Sequence, residues 1–250
     1  MGASEARGGV AVAREADAER GGEGSTTLAS SIYLQMRDDI VAGRLAPGAP
    51  LRLKSLQDRY GAGMSPIREA LSRLASDTFV VGLDHRGFRV AEISRDDLAE
   101  LTEARVLIEC EALRQSIAAG DEAWETGVLA AHYRLGKLDS RLREAADELL
   151  EAWEAANQEF HDALAAACRS RWIQRFRQLL HDQSKRYRQL SLLRSVSMRR
   201  IQEEHDELKE ACLARDSERA TRLLAAHIRA TTEYVMRRLE TQEDAAHTRA

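Results

Sequence analysis

Residues 51–74 read LRLKSLQDRYGAGMSPIREALSRL, and this stretch decides the fold around it. Gly61 stops a short helix predicted over 55–60. Ser65 is a good N-cap and Pro66 suits the first helical position, so a second helix opens there and runs to about Asp77. Working upstream, Leu28, Ile32, Met36 and Ile40 fall on one face of a helix predicted over 27–42, which Gly43 ends before the Pro47, Gly48 turn. Downstream, residues 79–82 and 88–91 are β-prone, and Asp84, His85, Arg86 and Gly87 between them read as a hairpin turn. Helix, tight turn, helix and hairpin make a winged helix-turn-helix.

Beyond a connector at 92–95, amphipathic helices are predicted at about 96–119, 121–138, 141–168, 170–193, 197–214 and 216–241. Gly120, Gly136 and polar junctions near 140, 169, 195 and 215 punctuate them, as in an antiparallel bundle. The expected fold is mostly α, with an N-terminal winged helix-turn-helix over 26–91 and a C-terminal all-helical bundle over 97–241. Residues 1–25 are rich in Gly, Ala, Ser, Glu and Arg and carry too little apolar surface to offset ordering entropy, so a disordered leader is expected. Neither an internal repeat nor a sustained heptad pattern is present.

Composition agrees with this division. Charged residues are 31% of the 250, aromatics 5%, and there are three prolines, a balance that favours helices over sheets. Cys110, Cys168 and Cys212 are widely spaced and odd in number, which fits buried thiols of a cytoplasmic protein better than disulfides or a CxxC metal knuckle. No apolar run is long enough for a membrane span, and no secretory signal is evident. The net charge of -4 divides into -2 for residues 1–25, +3 for 26–91 and -5 for 92–250. Only the segment with the helix-turn-helix is basic, as expected where one module meets phosphate. A recognition helix presents its N-terminal residues to base edges, which puts Ser65 and Arg68 among the DNA-facing candidates.

The bundle carries polar residues on faces that should be apolar. Arg105 lies on the stripe of Leu98, Leu101, Ile108 and Ala112, and a guanidinium facing a core needs an anion. Asn157 and His161, spaced i, i+4, edge the face of Leu149, Trp153, Ala156, Phe160 and Leu164. His205 falls among Ile201, Leu208 and Cys212, and His227 among Ala220, Leu224, Ile228 and Thr231. One such histidine is ordinarily a hydrogen-bonded core residue; three on three helices, with an arginine and an asparagine, point to a polar cavity. On the helix over 172–193, the face of Phe176, Leu179 and Leu180 also carries Gln183, Arg186 and Tyr187 as effector contacts, while Arg188 is expected to point away. Glu159 and Asp162 fall off the inner face, leaving no general base beside the histidines and little case for a metal-dependent enzyme.

Several motifs occur in order: Gly43 to Gly48 with Leu51, then Tyr60 and Gly61, SPIREAL at 65–71, Arg73 and Leu74, and the Arg86, Gly87 turn. On these the first part resembles the GntR family of transcriptional regulators. The resemblance implies that Lys54 and Arg68 meet double-stranded operator DNA, that Arg86 and Gly87 place the wing tip in the minor groove, and that Arg52 and Arg73 are further phosphate contacts. Where most of the family has arginine just before the recognition helix this chain has Met64, which cannot hydrogen-bond a guanine edge or a phosphate.

The second part, over about 97–238, resembles the FCD effector domain of the FadR branch. It does so on EARVLIE around Arg105, NQEFHDAL with Asn157 and His161, EEHDELKEACLARD with His205, and AAHI with His227. The resemblance implies a divalent metal, zinc or nickel, held by Asn157, His161, His205 and His227, with Arg105 receiving a carboxylate effector. Asn157 brings a neutral oxygen, so a hard cation should be held less tightly than by an aspartate. Within the branch, residues 51–74, the wing and HDQSKRYR are similar to glutarate-responsive repressors of 4-aminobutyrate and glutarate catabolism. The function implied is a homodimeric repressor released from a palindromic operator by a small carboxylate; a regulator answering to the metal alone is the alternative.

Overall fold

The computed structural model describes residues 27–83, 87–142, 146–190 and 201–247. The expected leader at 1–25 and the wing-tip residue Arg86 lie outside the described residues. In chain order the elements are α1 (Leu28–Val41), β1 (Pro50–Leu51), α2 (Leu53–Tyr60), α3 (Met64–Ser76), β2 (Val80–Leu83) and β3 (Gly87–Val90). They are followed by α4 (Arg95–Ala119), α5 (Glu122–Leu142), α6 (Ala146–Leu164), α7 (Arg171–Leu190), α8 (Ile201–Leu213) and α9 (Ser217–His247).

Local chemistry sets the first boundaries. Thr27 caps α1, its side chain accepting from the Ser30 amide. Gly61, at φ 61°, ends α2 in the left-handed region. The third helix begins at Met64 after an extended Gly63, two residues earlier than a Ser65 cap would place it. Pro66 therefore sits within the first turn, where its missing N–H has no intrahelical acceptor to serve.

Ile67, Ala70, Leu71 and Leu74 of α3 close on Ile32, Met36 and Ile40 of α1 and on Phe79, Val80 and Val90 of the sheet, forming the winged-helix core. The sheet order is β1-β3-β2, all antiparallel, with Val80 opposite Val90 and Pro50 opposite Arg89. The two-residue β1, not anticipated from its sequence, places Pro50 on an edge strand where a missing donor is tolerated. Asp39 of α1 accepts from Tyr60 Oη at 2.7 Å and Arg44 Nε at 2.6 Å, and pairs with Arg59 at 2.7 Å. Burial alone would raise the Asp39 pKa, but these bonds and charges hold it below the usual carboxylate value.

The bundle has its own core. Leu113 and Ile117 of α4, Trp124, Val128 and Leu135 of α5, Trp153, Phe160 and Leu164 of α6, Leu208 and Cys212 of α8, and Leu224 and Ile228 of α9 pack together. Among the described residues α7 contributes nothing to that cluster. It lies instead along α4, touching apolar neighbours through Ile173 near one end and Tyr187 near the other. Cys168 and Cys212 are buried and Cys110 partly so; burial raises the Cys110 pKa to about 11 and that of Cys212 to about 12.

The turn from α4 into α5 depends on Gly120. A Cβ there would lie 2.4 Å from the Trp124 ring and 2.8 Å from the Ser116 carbonyl oxygen, and backbone cannot give way as a flexible side-chain tip can. Gly120→Ala is expected to destabilise the protein by about 1–3 kcal/mol through overpacking, measured as a shift in denaturation midpoint.

Candidate functional site

On α3 the buried Ile67, Ala70, Leu71 and Leu74 leave Met64, Ser65, Arg68, Glu69, Ser72 and Arg73 on the outer side. Arg68 is exposed and makes no ion pair among the described residues. Arg52 is exposed just before α2, and Lys54 is exposed while pairing with Asp58 at 3.0 Å across one helical turn. Such a surface pair contributes little and yields readily to a phosphate. Gly87, at φ 91°, begins β3 at the wing. Arg73 is more engaged than its sequence position implies: its guanidinium lies 4.3 Å over the Tyr33 ring and donates to Ser30 Oγ at 2.9 Å.

Within the bundle, one turn or register of each helix brings polar groups to a common interior. His161 of α6, His205 of α8 and His227 of α9 offer ring nitrogens within 4.8 Å of one another. Their ring centroids are 5.7, 5.2 and 4.9 Å apart, over the Phe160 ring. Asn157, one turn before His161, has a buried Oδ1 with no hydrogen-bond partner among the described residues. His227 Nδ1 is 2.7 Å from Glu204 Oε2, which directs its Nε2 away from that carboxylate. Glu204, which immediately precedes His205 in the chain, is a carboxylate beside the histidines that the sequence did not point to.

Arg105 is buried as expected, and its partners are now visible. Its Nε and Nη2 donate to Glu109 Oε1 at 3.3 and 2.9 Å, and its Nη1 donates to Ser184 Oγ of α7 at 2.9 Å. Arg177, 5% exposed, pairs with Glu109 at 3.6 Å and with Asp162. Arg188, expected to point outward, is instead 7% exposed; it donates to Ser184 Oγ at 3.2 Å and to Glu154 at 3.3 Å. The inner face of α7 is thus Arg177, His181, Ser184 and Arg188, spaced i, i+4, i+7, i+11. A search for apolar stripes selects Phe176 as inward, yet Phe176 is 46% exposed.

Four further polar residues of α7 face the winged helix and its linker. Gln183 donates to the Asp77 carbonyl at 2.8 Å and to Thr78 Oγ1 at 3.1 Å, and Asp182 pairs with Arg37 of α1 at 3.2 Å. Arg186 donates to the carbonyls of Ala91 and Glu92, and Tyr187 donates to Asp97 and accepts from the Ser94 amide. Gln183, Arg186 and Tyr187, expected as effector contacts, are placed by this geometry against the winged helix and its linker. Gln183 Nε2, Arg186 Nη2 and Tyr187 Oη are engaged there, while the buried Arg186 Nε has no hydrogen-bond partner among the described residues.

The two halves of the chain match two family models. Residues 28–90 match "Bacterial regulatory proteins, gntR family" and residues 100–230 match "FCD domain". The chain belongs to the GntR family of regulators. It is 42% identical over 209 residues to the HTH-type transcriptional regulator BphR of Paraburkholderia xenovorans (strain LB400), covering 84% of this chain and 85% of that one. It is 36% identical over 200 residues to the HTH-type transcriptional repressor GlaR of Escherichia coli (strain K12), covering 78% and 90%. Among solved structures, E. coli McbR/YncC aligns with TM-score 0.70 at 19% identity, over 86% of this chain and 100% of that one. A GntR transcriptional regulator from Rhodococcus sp. RHA1 aligns with TM-score 0.66 at 22% identity, over 83% and 97%. These two likenesses concern the fold. The matched families and relatives are transcriptional regulators, so this chain is a regulator and not an enzyme. No helix among the described residues is long and apolar enough to cross a membrane.

The FCD interior of this GntR regulator favours the neutral form of His161 and His181. Burial first, then the charges of His227, His205, Arg105 and His181, push the His161 pKa well below its usual value. Burial and then Arg188, Arg105, Arg177 and Lys185 do the same to His181. Both folded-state pKa values lie below those of the unfolded chain. The unfolded chain takes up more protons as pH falls past about 6.5, so the stability these imidazoles support is present above that pH and lost below it. The thermal midpoint is expected to fall between about pH 7 and about pH 5.5, and to fall less in His181→Gln, as followed by circular dichroism.

Proposed function

We propose that this GntR regulator is a cytoplasmic homodimeric repressor that a small carboxylate, glutarate or a similar dicarboxylate, releases from a palindromic operator. The observation that carries the reading is the convergence of the buried Arg105 with His161, His205 and His227 in the FCD interior, beside α7, whose other side bonds to the winged helix. A carboxylate supplies the anion a buried guanidinium requires. The similarity of residues 51–74 and HDQSKRYR to glutarate-responsive repressors supports the choice of acid.

On the DNA side, Arg68 and Ser65 would read base edges from α3, with Lys54, Arg52, Arg73, Arg86 and Gly87 at the phosphates and the wing. Arg68→Ala is expected to weaken operator binding by about 1–3 kcal/mol. Arg105→Ala should leave operator affinity intact and abolish release by glutarate. Gel shift or fluorescence anisotropy at several salt concentrations measures both. An Arg68 variant with unchanged affinity and salt dependence would remove the recognition-helix assignment.

The FCD residues also fit a divalent cation. Three clustered imidazoles, a buried amide oxygen without a partner in Asn157, and a carboxylate on the far nitrogen of His227 are the donor set that zinc or nickel takes. When bound, the cation would supply a positive charge with open positions for the effector's carboxylate. His161, His205, His227 and Asn157 would hold it, and Glu204 would fix the His227 tautomer. The histidine cluster equally favours a second reading, in which the metal itself is the signal. Zinc or nickel should raise the thermal midpoint of the protein, chelator should reverse this, and His205→Ala should abolish the response. Operator release by metal alone, indifferent to carboxylates, would select the second reading.

A further inference from the structure

An anion-binding arginine inside a bundle presents a problem before its ligand arrives, because an uncompensated buried charge is strongly destabilising. Here the solution lies on the same helix. Glu109, one turn after Arg105 and 4% exposed, accepts from both Nε and Nη2 of Arg105, so one edge of the guanidinium is already committed. The remaining Nη1 is on Ser184. An incoming carboxylate thus finds the Nε–Nη2 edge of Arg105, the one that suits bidentate pairing, already taken. Glu109, however, has a second cation available: its other oxygen, Oε2, is 3.6 Å from Arg177 Nε, which has no hydrogen-bond partner among the described residues. A short rotation would complete that bond.

We propose that Glu109 is a built-in occupant of the effector's anion position, a carboxylate of the chain that competes with the ligand for Arg105. The inference rests on the carboxylate reading given above and deepens it. The effector displaces Glu109, which then pairs with Arg177 alone, and Arg105 exchanges an internal carboxylate for an external one. The number of buried charges balanced on each guanidinium is conserved, so the exchange avoids exposing an unpaired cation. Because Arg177 and Ser184 both belong to α7, the exchange remakes the contacts that seat α7 against α4. The opposite side of α7 carries Asp182, Gln183, Arg186 and Tyr187, bonded to the winged helix and its linker. Displacement at Arg105 is thereby connected through one rigid helix to the DNA-binding module.

The competition fixes the sign of a mutational effect. If Glu109 merely orients Arg105 for the ligand, Glu109→Gln weakens binding; if it competes, the same change tightens it, because the binding-competent state no longer has to be won from an internal anion. For a site open about one-tenth of the time, the gain is about tenfold. Isothermal titration of the full-length protein with glutarate, succinate and acetate is the test. Glu109→Gln should bind the acid recognised by the wild type about tenfold more tightly, and Glu109→Asp, too short to bridge both arginines, should fall between them. Unchanged or weaker binding in a folded Glu109→Gln would overturn the inference while leaving the carboxylate reading standing. A wild-type protein that binds none of the three acids would overturn both. A crystal structure of the wild type soaked with the bound acid decides the matter independently of any variant: Glu109 turned from Arg105 toward Arg177 supports the exchange, and Glu109 still on Arg105 contradicts it.

Discussion

A guanidinium enclosed by a helical bundle must meet an anion, and most of what is specific to this protein follows from three that do. Arg105, Arg177 and Arg188 are all below a tenth exposed, and Glu109, Asp162 and Glu154 answer them. Such pairs are poor sources of stability, because desolvation offsets most of the attraction, but removing one partner leaves a charge with nowhere to go. Beside the apolar core of the bundle, these groups are held by mutual neutralisation. Any additional anion or cation entering the interior has to rearrange the pairs already present. A polar interior of this kind is suited to sensing, since its contents have few arrangements and each is sharply distinguished in energy.

Helix α7 is where that constraint reaches the rest of the molecule. It takes no part in the main apolar core of the bundle; Leu179 instead packs against the winged-helix core, and Tyr187 joins Leu98 and Val235. One side of α7 consists of groups balanced against α4 and α6, and the other grips the end of α3 and the linker. The grip includes Thr78, a β-branched residue at φ 61°, whose left-handed backbone carries a strain of roughly 1–2 kcal/mol. Gln183 bonds both its hydroxyl and the preceding carbonyl. Arg186, 2% exposed, is held by main-chain carbonyls of Ala91 and Glu92, so a cation without a carboxylate is buried at the hinge between the modules. Burial lowers its pKa, with the neighbouring Tyr187 and Asp97 opposing.

The winged helix and the helical succession were legible because both are written in periodicity and punctuation. Gly61, Pro66 and the alternation around Gly87 mark turns whatever surrounds them, and Gly120 marks a turn that only glycine fits. The convergence of Arg105 with the three histidines was also legible, since each is an anomaly on an otherwise apolar stripe. The face of α7 was not. Its inward residues are Arg177, His181, Ser184 and Arg188, so hydrophobic patterning pointed to Phe176 and turned the helix the wrong way round; Gln183, Arg186 and Tyr187 were assigned to a ligand when they bind the neighbouring module. Glu109 and Glu204 were missed for a related reason. A carboxylate beside a helix-favouring run reads as solvated surface until its buried partners are known: for Glu109 these are Arg105 one turn away and Arg177 of α7, and for Glu204 it is His227 of α9.

The central claim is that α7 transmits the state of the FCD interior to the winged helix, and thermodynamic linkage measures it directly. Effector and operator must alter each other's affinity by the same factor, and that factor is the coupling. Titrating glutarate into free and operator-bound protein, for the wild type and for a Gln183→Ala, Arg186→Ala double variant, gives it in both. The account predicts that the double variant binds operator and glutarate separately as the wild type does, with a coupling factor near one. Coupling undiminished in the double variant would contradict it.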